Sequence, residues 1–228
     1  MEMPDASASS ETLLDTYGEY HLTALGAEPQ AEDIEAMFSL RQSALRDALR
    51  ARESAERLAQ QMEALKVRAE TEVENKIREI ELMVLGVVNK KRDLDPYAII
   101  FPKKLTGALK PSGAAQAKEG HRIANLIAPT EGDPVAGLPG HAEGLGIELR
   151  ALCVVLEERV KADEAAEEAV KTAWLNELSE RRRWREQYRK DHGLLTALFP
   201  LEPRMVESFF KKPSKRRNRS GGGGGGEG

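Results

Sequence analysis

The sequence predicts a mainly α fold: an elongated antiparallel hairpin of two long helices, short capping helices at both ends, and a disordered tail that is basic and then Gly-rich. Two charged, Ala-rich segments, 31–92 and 142–191, flank a single Pro/Gly-rich stretch. Of the 228 residues 32% are charged and only 5% aromatic, a composition that favours long charged helices over a compact enzyme. Apolar residues in the first segment recur at helical spacing. Together these features predict a disordered stretch over 1–10, one elongated domain over 11–210 and a tail over 211–228.

Residues 1–10 are small and polar. A short helix follows from Glu11 to Leu25, with Ser9 or Ser10 as its N-cap and Gly26 and Pro29 closing it. The first long helix opens with Glu32, Asp33 and Glu35 and ends with Lys90, Lys91 and Arg92, charges that complement the helix dipole. Its stripe runs Ala51, Ala55, Leu58, Met62, Leu65, Ala69, Val73, Ile77, Ile80, Val84, Val87. The step averages about 3.6 residues, whereas a supercoiling heptad would give about 3.5, so a bundle-like helix is expected rather than a coiled-coil rod. From Ile77 to Val88 nearly every side is apolar, and something must cover it.

Asp95-Pro96 marks the helix end. Tyr97–Phe101 reads as an extended apolar segment packed on the helices, 114–128 as a short helix, and 129–140 as a Gly/Pro loop. The second long helix runs from Ala142 to Asp191, where His192-Gly193 supplies a stop. Leu194–Phe199 is a short separate segment, and Pro203 opens a last helix carrying Met205, Val206, Phe209 and Phe210. Folding the helices back on each other sets Ile77–Val88 against Leu145–Leu156, with the linker as a cap, and brings the Ala-rich middles together. At the other end Leu13–Leu25 and Leu194–Phe210 are expected to cover Met37, Phe38 and the Trp174–Tyr188 stretch.

The net charge of −4 conceals an asymmetry. The first 40 residues hold nine carboxylates and no Lys or Arg, while the far end is strongly basic. Cys153 stands alone among apolar residues, so no internal disulfide is expected and a buried, inert thiol is. No signal peptide or membrane span is read, which points to the cytoplasm and against membrane insertion.

Catalytic signals are weak. His21, His121, His141 and His192 are scattered, without metal-ligand spacing, and read as surface or helix-end residues. The acidic run Glu157, Glu158, Asp163, Glu164, Glu167, Glu168 reads as a solvated face, with i, i+4 pairing expected between Glu53 and Arg57, Glu72 and Lys76, and Glu157 and Lys161. Gly144-x-Gly146 lacks the strand and third glycine of a dinucleotide fingerprint. No metal or cofactor is expected.

Two basic segments stand out. In the first, Arg181, Arg182, Arg183 and Arg185 surround Trp184, with Tyr188 one turn on, a pattern suited to neutralising phosphates and stacking bases. The same pattern suits a helix C-terminus whose aromatics pack inward and whose Arg stems cover apolar surface. In the second, Lys211, Lys212, Lys215, Arg216, Arg217 and Arg219 form a basic run suited to a polyanion, to solubilisation, or to the chain's own acidic start. The leading expectation is a non-enzymatic structural or protein-interaction protein, with self-association open. Next comes a nucleic-acid-associated accessory protein acting through 181–190 and 211–219. An enzyme using Tyr97, Lys103, Lys104 or His121 in the long linker is the third.

Overall fold

A computed structural model describes residues 3–212. Lys215, Arg216, Arg217, Arg219 and the glycine run lie outside the described residues. Helices dominate: α1 (Glu19–Gly26), α2 (Glu32–Val87), α3 (Tyr97–Ile100), α4 (Lys104–Ala108), α5 (Gly113–Ile127), α6 (Ala142–Leu198) and α7 (Pro203–Ser208). A π-helical stretch, Thr12–Gly18, leads into α1, and a 3₁₀ turn, Pro29–Ala31, leads into α2. The long helices α2 and α6 pack antiparallel, and the chain divides into two compact units. Among the described residues one comprises 3–52 and 173–212, the other Glu53–Thr172.

Local chemistry sets most boundaries. The Ser9 hydroxyl accepts the Thr12 N–H at 3.2 Å, the expected cap. It also holds the Glu11 carboxyl below its usual range, with Arg52 and Arg181 assisting more weakly. Pro203 occupies the first turn of α7, where its missing N–H costs nothing.

Three boundaries depart from the sequence reading. Helix α2 ends at Val87, not Arg92. Asn89 and Lys90 take positive φ angles of 49° and 64°, and the Lys90 N–H returns to the Leu85 carbonyl at 2.8 Å, closing the helix as a left-handed cap does. Lys90, Lys91 and Arg92 therefore lie just beyond the helix. Tyr97–Phe101 is not extended: Tyr97, Ile100 and Phe101 are buried at i, i+3 and i+4, a helical spacing. Helix α6 passes through His192-Gly193 to Leu198. A helical glycine costs about 1 kcal/mol, and the burial of Leu195 and Phe199 outweighs it.

In the unit containing 53–172, Val73, Ile77, Ile80 and Val84 are fully buried against Tyr97, Ile100, Ile123, Ile127, Leu149, Cys153 and Leu156. The buried part of the stripe runs from Ala69 to Val84, whereas Leu58, Leu65 and Val87 are exposed. Gly120 lies so close to the Cys153 sulfur that a β-carbon would collide with it, and Gly146 likewise seats Ile127 and Ala128. Gly146 thus has a packing role. The expected surface pairings are redistributed. Arg57 donates to the Glu53 carbonyl, Glu72 pairs with Arg68, Lys76 pairs with Glu79 and Glu148, and Glu157 faces His121. Asp163 departs from the solvated acidic face: it is buried and paired with Lys66, which raises the lysine's pKa.

In the unit holding the termini, the core is ring-rich. Phe38, Trp184 and Tyr188 are buried, with Trp184 and Tyr188 stacked at 5.0 Å. His21 sits among Phe38, Tyr188 and Phe210 and is fully buried, not superficial. Its ring nitrogens face the Phe209 carbonyl at 2.8 Å and the Asp191 carboxylate at 3.3 Å, tying α1 to α6 and the chain after α7. Gln42 accepts from the Trp184 indole at 2.8 Å and donates to the Leu14 carbonyl at 2.9 Å.

Candidate interaction surface

Residues 174–189 of α6 divide into an inner and an outer face. On the inner face Trp184 and Tyr188 are both fully buried. Burial also pushes the Tyr188 phenol well up. Trp184, one of the residues that suggested base stacking, is therefore a core ring and is not available to a ligand. Arg183 turns to Glu180 at 2.5 Å, a neighbour one turn back.

The outer face carries Leu178, Arg181, Arg182, Arg185 and Arg189. Spacings of three and four residues set them over one another. With Met3, Pro4 and Ala6 they line a cleft of about 530 Å³. Two of its arginines are occupied by the chain's own start. Arg181 donates to the Ala8 carbonyl at 2.5 Å, and Arg185 to the Pro4 and Asp5 carbonyls at 2.9 and 2.6 Å. The stretch read as disordered is therefore held along residues 4–8. Burial, then the neighbouring Arg181, pull the Arg185 pKa down, and Asp5 opposes the shift. Arg182 and Arg189 are exposed, and among the described residues neither forms an ion pair or a side-chain hydrogen bond. The cleft thus concentrates positive charge that no carboxylate fully balances.

One turn before the cleft, Trp174 and Leu175 are 50% and 60% exposed. They were expected to be covered by the terminal segments, and they are not. Trp174 stands four residues before Leu178 and Leu175 three before it, so the apolar pair runs into the arginine face. The sequence reading singled out Trp184 and passed over Trp174. Trp184, Tyr188, Asp191, Leu195 and Phe199 form one stripe, and at about 100° per residue Trp174 lies about 20° past Phe199 at its edge, so phase alone does not mark it as exposed.

The other basic positions are more dispersed. Lys211 and Lys212 are exposed beside Arg204 and Tyr20, lining a second cleft of about 570 Å³ in which Glu207 supplies a carboxylate. In the linker, Tyr97 is fully buried and donates to Glu81 at 3.0 Å, its pKa raised first by burial and then by that bond. Lys103 and Lys104 line a separate cleft of about 290 Å³ with Glu119 and Arg122, and His121 instead faces Glu157 at 3.3 Å. The structure does not bring these linker residues together. Cys153 is buried, and burial pushes its thiol up to about 12. Among the described residues no group of three or more His, Cys, Asp or Glu side chains is arranged to hold a metal ion, and no helix is long and apolar enough to cross a membrane.

No protein-family model matches the chain, and no match to it is found among curated proteins or solved structures.

Proposed function

We propose that this is a non-enzymatic structural or interaction protein, whose long helices hold docking faces for other proteins. The observation that carries this reading is the adjoining exposure of Trp174 and Leu175 on a helix that buries its other tryptophan completely. Exposed aromatic anchors beside arginine are the side chains that dominate protein-binding energetics. The test is capture from a lysate of the source cells, followed by reconstitution from purified components. A defined partner that binds the purified full chain at fixed stoichiometry supports the reading. Failure of every captured protein to bind in purified form contradicts it.

A second reading, a nucleic-acid-associated accessory protein, draws on exposed Arg182 and Arg189, which form no ion pair among the described residues, and on exposed Lys211 and Lys212. It predicts binding to oligonucleotides with a log–log salt slope of about −0.7 to −0.9 per phosphate neutralised. Binding that is flat with salt removes it.

A further inference from the structure

We propose that the face formed by Trp174, Leu175, Leu178, Arg182 and Arg189 docks an acidic polypeptide segment that carries apolar side chains. The proposal rests on the protein-interaction reading above and names the class of partner. Three observations favour this occupant.

The first is the ordering of chemistry along the helix. Trp174 and Leu175 offer exposed apolar surface, Leu178 lines the cleft, and Arg182 and Arg189 follow with no ion pair among the described residues. A segment with apolar residues at one end and carboxylates at the other is complementary to that order.

The second is that the cleft already holds polypeptide. Arg181 and Arg185 grip the carbonyls of residues 4–8, Met3 and Pro4 line the wall, and the Asp5 charge supports Arg185. A guest chain would lie beside this internal one, using the arginines it leaves open.

The third concerns the number of open charges. The cleft leaves Arg182 and Arg189 as its exposed arginines. A nucleic-acid strand bears a charge on every nucleotide and calls for a longer basic track. A peptide with a few placed carboxylates does not.

The test uses fluorescence anisotropy on the full chain. The probes are a labelled synthetic Glu/Leu amphipathic peptide, its Lys/Leu counterpart and a labelled oligothymidylate. The expected result is saturable binding of the acidic peptide only. R182E/R189E should weaken it about tenfold or more, and Trp174→Ala should separately weaken it by about tenfold, as the loss of an aromatic anchor does. These positions are exposed, and matching thermal melts would show that the variants fold; R182Q/R189Q gives a milder second variant. Equal binding by wild type and variants overturns the proposal, as does tighter binding of the oligothymidylate. Absence of peptide binding also overturns it. A purified partner that still binds R182E/R189E and Trp174→Ala would then preserve the interaction reading while removing this face.

Discussion

In the unit that holds residues 3–52 and 173–212, Phe38, Trp184, Tyr188 and His21 pack ring against ring, mostly edge-on, and polar partners hold Trp184 and His21. In the unit of residues 53–172, branched aliphatics such as Val73, Ile77, Ile80 and Ile123 fill most of the space, with the buried Tyr97–Glu81 pair among them. Aliphatic side chains need volume and little else. Buried Trp, His and Gln need partners at defined positions, since an unpaired donor or acceptor costs about 1–3 kcal/mol. The ring-rich unit therefore fixes the orientation of α6 about its own axis. With Trp184 anchored inward by Gln42, the arginines at 181, 182, 185 and 189 face outward together. The core chemistry of that unit is what presents the proposed interaction surface.

Four consequences separate the two units, in order of expected size. Trp184→Ala should cost about 3–5 kcal/mol in denaturant unfolding, because it empties the largest fully buried side chain. A loss below about 1 kcal/mol would mean the rings do not anchor α6. Gln42→Leu keeps the bulk but strands the Trp184 indole N–H, while the Leu14 carbonyl keeps the Glu19 N–H. A loss of about 1–3 kcal/mol is expected, and thermal melts of the purified variant measure it. In the aliphatic unit, Ile77→Val should cost only about 0.5–1.5 kcal/mol. If Ile77→Val proves costlier than Gln42→Leu, the contrast between the units is wrong.

At neutral pH the smallest effect is that of Cys153, which shows only as a slope at high pH. The Cys153 thiol is raised from 9.0 to about 12 in the folded chain. Below pH 9 the thiol is neutral in both states and its contribution is intact. Between pH 9 and about 12 only the unfolded chain ionises, so stability falls as pH rises. Cys153→Ala should flatten that part of the unfolding free-energy profile, and an unchanged slope would show the thiol is not buried as described.

Much of the fold was legible because local signals and burial agree there. The spacing of Val73, Ile77, Ile80 and Val84, the Ser9 cap and Pro203 at the start of α7 all read correctly. The failures share a cause: tertiary contacts override a local preference. Gly193 is a reasonable stop until Leu195 and Phe199 find a core, and Tyr97 is ambiguous until the helix beside it selects i, i+3, i+4 contacts. His21 carries no sequence mark that it will meet Asp191, 170 residues away. Of the candidate site, the arginines were legible as a cluster, but which tryptophan faces outward depends on the inner stripe of α6.

The central claim is that the outer face of α6, from Trp174 to Arg189, receives an acidic apolar segment. Photo-crosslinking tests it most directly: a Glu/Leu peptide with a central benzophenone is irradiated on the full chain and the adducts are mapped by tandem mass spectrometry. Adducts concentrated at Trp174, Leu175 and Leu178, and suppressed by excess unlabelled peptide, are the predicted result. Adducts scattered over the chain, or confined to positions away from residues 174–189, would contradict it.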